Sequence, residues 1–154
     1  MRLPWETDYL EGAASANAGI IRAVVRQTPL KFDPHPLDER YAVLRYDLMR
    51  EFVGSNISAA SLTYGDPPWL DCDDFRDIAV GEGKRAAGRL KFPEAPILGS
   101  IEFEYEDGRA HAKMWTVVYY ERVFRVALYE PQLRGDPAWT LSLAEIAKVR
   151  RMEF

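Results

Sequence analysis

The sequence predicts an α+β fold in which helices come first and an antiparallel β-meander follows. Before Pro93, apolar residues recur three and four positions apart, which is the spacing of one helix face. After Pro96, apolar and polar residues alternate, which is the spacing of a strand with one buried face. The 10 Gly and 10 Pro residues fall between these segments and not in a linker, so the sequence predicts a single domain over residues 1–154.

The N-terminal part contains one undecided segment and one clear helix. Residues 15–27 (SANAGIIRAVVRQ) fit a helix and a β-branched strand equally well. Residues 32–36 (FDPHP) contain two prolines and form a turn or an extended loop. A short amphipathic helix is expected over residues 46–53, because its apolar residues recur three and four positions apart. Gly54 is expected to end it. Its apolar positions are Leu48, Met49, Phe52 and Val53.

A second helix is expected after a loop over residues 55–69 that is rich in Ser, Asn, Gly and Pro. Asp71 is a favourable N-cap, and Asp74 stands three positions later, as in a capping box. The apolar residues Phe75, Ile78 and Ala79 follow on one face. This arrangement places Cys72 in the first turn of the helix.

A β-hairpin is predicted at Asp107-Gly108, a strong two-residue turn signal. The strand before the turn alternates apolar residues with glutamates, and the returning strand covers residues 109–120. A two-residue turn sets Glu104 opposite His111. The face expected to be polar consists of Glu102, Glu104, His111, Lys113 and Trp115.

The meander ends with a third strand over residues 123–130, which Pro131 stops. Farther along, residues 142–145 (SLAE) have the pattern of a capping box. They predict a C-terminal helix that runs to Arg151.

The third strand brings possible partners to the histidine. If Glu121-Arg122 forms a two-residue turn, then Gln132 lies opposite His111 and Glu130 lies diagonal to it on the same face. Either side chain then reaches the imidazole. Glu104, across the first hairpin, is the competing partner.

Composition excludes several classes of protein. One Cys cannot form an internal disulfide, and no apolar run approaches the roughly 20 residues that cross a bilayer. The formal net charge of -4 gives no basic excess for binding phosphates. We therefore expect a cytoplasmic protein that binds neither nucleic acid nor membranes; the sequence does not indicate its oligomeric state.

The cysteine stands where a nucleophile is often placed, because unpaired N–H groups in the first turn of a helix favour a thiolate. The neighbouring carboxylates of Asp71, Asp73 and Asp74 oppose this effect by raising the thiol pKa. Activation would then need an imidazolium, for which His111 is the candidate. The alternatives stay open that Cys72 is a small buried hydrophobic residue and that His111 is a structural strand residue.

Three segments in this order resemble a known family: residues 69–75 (WLDCDDF), 108–115 (GRAHAKMW) and 129–132 (YEPQ). They are similar to the papain-like cysteine protease domain at the C-terminus of Marasmius oreades agglutinin and to related short bacterial and phage proteins. The resemblance covers about residues 41–147. It implies a papain-like core over residues 41–154, with residues 1–40 as an N-terminal arm or a lid. The agglutinin's sugar-binding trefoil has no counterpart here, so no lectin role is implied.

The resemblance implies a thiol hydrolase that cleaves an amide, most simply a peptide bond, in a peptide or protein substrate. Cys72, His111 and Glu130 correspond to the family's catalytic triad, and the predicted register adds Gln132 as a further catalytic candidate. The alternative is a non-catalytic interaction protein of phage or mobile-element type that keeps the papain-like scaffold. The absence of a glutamine shortly before Cys72, where papain-like enzymes carry an oxyanion-hole donor, supports that alternative.

The remaining candidates surround the thiol. Trp69 and Trp115 are expected to line a substrate groove, and core packing is the alternative for both. The reading of the residues requires no cofactor, whereas the resemblance implies calcium. Its candidate ligands are Asp71, Asp73 and Asp74, for which helix capping and solvated charge are the alternative.

Overall fold

The computed structural model describes residues 13–132 and 138–154. Within these ranges the chain is mostly a seven-stranded mixed sheet with three α-helices. The strands are β1 (Ala13–Asn17), β2 (Arg40–Arg45), β3 (Gly99–Glu104), β4 (Ala110–Tyr120), β5 (Val123–Tyr129), β6 (Trp139–Thr140) and β7 (Lys148–Glu153). The helices are α1 (Ala18–Arg26), α2 (Tyr46–Asn56) and α3 (Cys72–Arg89), and a short 3-10 helix covers Ala59–Ser61.

The long strand β4 organises the sheet. Along one edge it pairs with β3 near its beginning and, in parallel, with β2 near its end. It also pairs antiparallel with β5, which continues to β6. Strand β1 extends the sheet beyond β2, and β7 extends it beyond β3. The start of β4 therefore lies where β3, β7 and the end of β5 come together.

The predicted succession of helices followed by an antiparallel meander is wrong. The first element described is a strand, β1, and β2 joins β4 in parallel, so the sheet is mixed. The undecided residues 15–27 contain both a strand end and α1, whose N-cap is Asn17. Strand β2 is buried at four consecutive positions and so carries no alternation that the sequence pattern could reveal.

Apolar cores cover both faces of the sheet. On one face, Met114 and Val118 of β4 pack with the apolar residues of α2 and α3. On the other face, Trp115 and Val117 pack with Ile21 of α1 and with neighbouring strands. The face of β4 that was expected to be polar is therefore largely core, and Trp115 is fully buried within it.

The two hairpins test the predicted registers. The β4–β5 turn has two residues, Glu121 and Arg122, both with positive φ, and it pairs Tyr120 with Val123 as predicted. The β3–β4 register is one residue from the prediction, so Phe103 and not Glu104 lies opposite His111. The cause is a longer turn, in which Tyr105 pairs with Arg109 and Gly108 takes φ +82°.

The predicted C-terminal helix does not form. Residues 148–153 are strand β7, antiparallel to β3. The carboxylate of Glu145, expected to complete a helix cap, instead binds the ammonium of Lys113 at 2.5 Å. Met152 is buried and completes the core beside Ile101, which favours the strand over an exposed helix.

The two helices predicted before Pro93 are confirmed. Helix α2 buries Leu48, Met49, Phe52 and Val53 and continues past Gly54. Helix α3 begins with the predicted capping box between Asp71 and Asp74. Of the segment expected to form an arm or a lid, residues 1–12 lie outside the described ranges and residues 13–40 supply β1 and α1. No helix in the described ranges has the length and apolar character needed to cross a membrane.

Candidate functional site

Cys72 is the first residue of α3 and reaches the beginning of β4. Hydrogen bonding by the backbone of Ala112, in that strand, lowers the pKa of the thiol. A cavity of about 140 Å³ opens at this point. Its lining residues are Cys72, Asp73, Glu102, Ala110, His111, Ala112 and Arg150. The structure thus brings the predicted cysteine and histidine to the walls of one cavity.

The surroundings of Cys72 keep its thiol protonated. Burial raises the pKa of the Cys72 thiol, and the charges of Asp71 and Asp73 raise it further. The hydrogen bond from Ala112 acts in the opposite direction. Burial, with a smaller contribution from the acidic neighbours, therefore outweighs the interactions that favour the thiolate, so attack by sulfur requires a group that accepts the proton.

His111 stands near the start of β4, held by rings and a carboxylate. Its Nε2 contacts the Oε2 atom of Glu130. The ring of Tyr105 stacks on it at 5.9 Å between centroids, and Phe103 meets it edge-on at 5.8 Å. These contacts fix the imidazole plane, and Nδ1 is the nitrogen that the Glu130 contact does not occupy.

Helix α3 and the imidazole approach β4 from different sides. Because side chains alternate along a strand, Ala112 and His111 point to opposite faces of β4. The cavity lies at the start of the strand, where both faces can be reached. Its geometry suits a ligand held between the thiol and the imidazole.

Glu130 is buried, with 6% of its surface exposed, directly after β5. Besides His111, the same Oε2 atom lies 4.0 Å from the ammonium of Lys113. Gln132 contributes its backbone N–H, 3.4 Å from Oε1 of Glu130. The predicted closeness of Glu130 and His111 is therefore present, and Gln132 contacts the carboxylate through its main chain.

The competing partner Glu104 is engaged elsewhere. Its carboxylate binds Arg150 of β7 at 2.5 Å, because the shifted register turns it away from His111. The cavity wall instead contains Glu102, which accepts a hydrogen bond at 2.8 Å from the buried Arg76 of α3. Sequence reasoning placed Glu102 on the polar face with His111 but did not assign it to the site, and it missed Arg150 and Tyr105. A charged residue at the helical position of Arg76 was the available signal for Glu102.

The two tryptophans lie in different environments. Trp115 is fully buried, and its Nε1 donates to the carbonyl of Glu153 at 2.8 Å, so it does not line a groove. Trp69 is 68% exposed in the loop before α3. Asn56, at the end of α2, donates a hydrogen bond to the carbonyl of Phe52 and accepts one from Arg89.

The acidic residues around Cys72 have distinct partners. Asp74 completes the capping box, whereas a hydrogen bond joins the carboxyl groups of Asp71 and Asp73 and raises the pKa of Asp71. Ligand atoms of Asp71, Cys72 and Asp73 lie within 4.8 Å of one another, and Oδ1 of Asp71 is buried without a hydrogen bond in the described ranges. Two carboxylates suit a hard cation, but calcium prefers six to eight oxygen ligands and the thiol is not one of them.

Comparisons with known proteins give a likeness of fold. No family model and no curated protein matches the chain. Among solved structures, it resembles PSL1a in complex with E64 (TM-score 0.68) and a Polyporus squamosus lectin bound to the human-type influenza-binding epitope Neu5Aca2-6Galb1-4GlcNAc (TM-score 0.70). Sequence identity is 21% in both cases. The matches cover 91% of this chain but only 51% and 49% of the others, so it spans about half their length.

These neighbours overturn the identification made from the three short segments. The resemblance to a papain-like cysteine protease domain is wrong as an identification, because the two solved structures named above are those of a lectin. The papain-like α+β fold class, the hydrolase function and the alternative based on a papain-like scaffold fall with it. The expected peptide or protein substrate is wrong too, since the bound partner in the second structure is a glycan. A motif of a few residues specifies only a few side chains, whereas the fold depends on the whole chain between the motifs.

Proposed function

We propose that Cys72, His111 and Glu130 form a thiol-centred binding site for a small ligand with an electrophilic carbon, such as an aldehyde. The observation that carries the proposal is the cavity of about 140 Å³ that has both Cys72 and His111 in its walls. A cavity of roughly 150 Å³ accommodates a benzene-sized molecule. The site therefore suits a small group or the end of a larger ligand.

The chemistry follows from the positions of the two walls. The Cys72 sulfur forms a bond to the carbonyl carbon as the thiol proton passes through water to His111, and the C=O π pair moves to oxygen. His111 then donates that proton to this oxygen, giving a hemithioacetal with no other bond broken. Glu130 contributes by orienting the imidazole and stabilising its cationic form through Nε2.

E64 offers a direct probe, because PSL1a has been solved in complex with it. The protein would be incubated with E64 and then with iodoacetamide, and labelling of Cys72 would be followed by mass spectrometry. We expect E64 to slow labelling of the wild type. Labelling of Cys72 that is insensitive to E64, and insensitive to a simple aldehyde in the same assay, would exclude a ligand site at the thiol.

Carbohydrate binding is a second candidate function, favoured by a separate surface. Trp69 and Tyr64 are exposed to 68% and 59%, and Tyr64 stacks on the buried ring of Phe75, which holds it in place. Exposed rings of this kind are typical of ligand surfaces. The lectin neighbour binds the epitope Neu5Aca2-6Galb1-4GlcNAc, so glycans are the class of ligand to test.

Carbohydrate binding is tested by titrating that epitope into the protein and following the reaction by isothermal titration calorimetry or by tryptophan fluorescence. Binding that Trp69→Ala abolishes, and that substitution of the exposed but separate Leu37 by Ala leaves unchanged, would support it. Saturable binding in the Trp69→Ala variant, or none in the wild type, would remove this surface from consideration.

A further inference from the structure

We infer that Lys113 and Glu145 are positioning residues that set how readily His111 holds a proton, acting through Glu130. The inference deepens the proposed function, on which it rests in assigning His111 a role toward the ligand. The observation is a continuous run of alternating charge from the surface to the site. Its members in order are Glu145, Lys113, Glu130 and His111.

Distances show how the charges are shared. The ammonium of Lys113 lies 2.5 Å from Oε1 of Glu145 and 4.0 Å from Oε2 of Glu130. That same Oε2 atom contacts Nε2 of His111. Lys113 is therefore paired mainly with Glu145. The carboxylate of Glu130 interacts mainly with the imidazole.

The burial of Lys113 needs an explanation of this kind. Lys113 is 8% exposed in the middle of a strand whose neighbours are apolar, and removing an ammonium from water is costly unless it is paired. An apolar side chain would fill the position without that cost. A lysine here instead supplies a positive charge at a fixed place beside Glu130.

The strand geometry makes the arrangement rigid. His111 and Lys113 are two residues apart on β4 and so lie on one face. The β4–β5 register ends with Met114 paired to Tyr129, which places Lys113 beside Glu130. Glu145 reaches Lys113 from the segment between β6 and β7, and its side chain is 32% exposed.

Two opposite predictions follow for the proton on His111. Removing the charge of Glu145 lets Lys113 act fully on Glu130, which weakens the hold of that carboxylate on an imidazolium. Removing the charge of Lys113 leaves two carboxylates near the ring with no cation between them. Their attraction for a protonated imidazole is then stronger. Other charged or titratable groups face the ring or its cavity and stay unchanged in both variants: Cys72, Asp73, Glu102, Tyr105, Arg109 and Arg150.

The test is an NMR titration of the two histidines in the whole protein. The chain has 2 His, and exposed His35 serves as the internal reference. We expect Glu145→Gln to move the titration midpoint of His111 to lower pH by about 1 pH unit, and Lys113→Met to move it upward by a similar amount. Lys113→Arg, which keeps the charge, is expected to restore the wild-type midpoint, and His35 is expected not to move.

A midpoint that stays within the variation of His35 in Glu145→Gln would overturn the inference, as would shifts of the same sign in both variants. If Lys113→Met does not fold, the Glu145→Gln and Lys113→Arg spectra still decide. Failure of the proposed function is distinguishable: the His111 midpoints would respond as expected while Cys72 labelling ignored His111.

Discussion

Nε2 of His111 meets Oε2 of Glu130 at the junction of β4 and β5, and this contact fixes the imidazole at the cavity that also holds Cys72. Both residues are largely buried, Glu130 with a side-chain exposure of 8% and His111 with 14%. A buried carboxylate bound to an imidazole leaves one ring nitrogen for chemistry and stabilises its charged form. The candidate site is thus built around a histidine whose orientation is fixed by its contact with Glu130.

Asp73→Asn is predicted to make the thiol more reactive. The charge of Asp73 raises the pKa of Cys72, so its removal lowers that pKa and increases the thiolate fraction at a given pH. Iodoacetamide labelling measured from pH 6 to pH 10 checks this, and its midpoint is expected to move to lower pH. Glu51→Gln, an exposed charge change on α2, is the control. An unchanged midpoint in Asp73→Asn would show that burial alone sets the thiol pKa.

Cys72→Ser is predicted to reduce the loss of stability at alkaline pH. Folding raises the thiol pKa above its unfolded value, so this group's contribution is fully present below the unfolded pKa. It is lost as pH rises through the folded pKa, and serine, which does not ionise there, has no such loss. Urea unfolding at pH 7 and pH 10 under reducing conditions measures it. Equal losses in both proteins would contradict the raised thiol pKa.

Gly99→Ala is predicted to destabilise the fold by about 3 kcal/mol, the upper end of the range for overpacking. An added Cβ at residue 99 would overlap the carbonyl oxygen of Glu153 and the indole of Trp115. Gly54→Ala is the matched control: the space beside it is open, and alanine in a helix is favoured over glycine by about 0.5 to 1 kcal/mol. Urea unfolding curves of the two variants should shift in opposite directions, and a shift in the same direction would contradict the packing described for Trp115.

Calcium binding at the start of α3 stays a prediction. If Asp71 and Asp73 hold calcium, added CaCl2 is expected to raise the melting temperature of the wild type, because a ligand bound only to the folded state stabilises it. The rise should be absent in Asp73→Asn. An equal rise in both proteins, or none in either, would assign the cluster to helix capping and a shared proton.

Local signals in the sequence predicted the parts of the fold that local interactions decide. The capping box at Asp71 and Asp74 depends on a few adjacent groups, and it formed as predicted. The turn at Glu121-Arg122 likewise depends on local backbone geometry, and it placed Glu130 near His111. These two features account for most of the candidate site that could be found from sequence.

The remaining features depend on contacts between distant segments. One extra residue in the Gly108 turn shifts the register of β3 against β4 by one position. Glu104 therefore binds Arg150, and Glu102 lines the cavity. The carboxylate of Glu145 binds Lys113, 32 residues away, and does not cap a helix. Neither partner is adjacent in sequence, so a pattern read along one segment could not reveal them. The same limit explains why three short segments suggested a family that the fold did not support.

The most direct test of the central claim is iodoacetamide labelling of Cys72 at pH 7 in the wild type and in His111→Ala, with folding of both checked by near-UV circular dichroism. If His111 accepts the thiol proton during attack by sulfur, labelling should fall by about 100-fold in the variant, the lower end of what a positioned acid or base contributes. Equal labelling rates in two folded proteins would contradict the account and leave Cys72 as a structural residue at the start of α3.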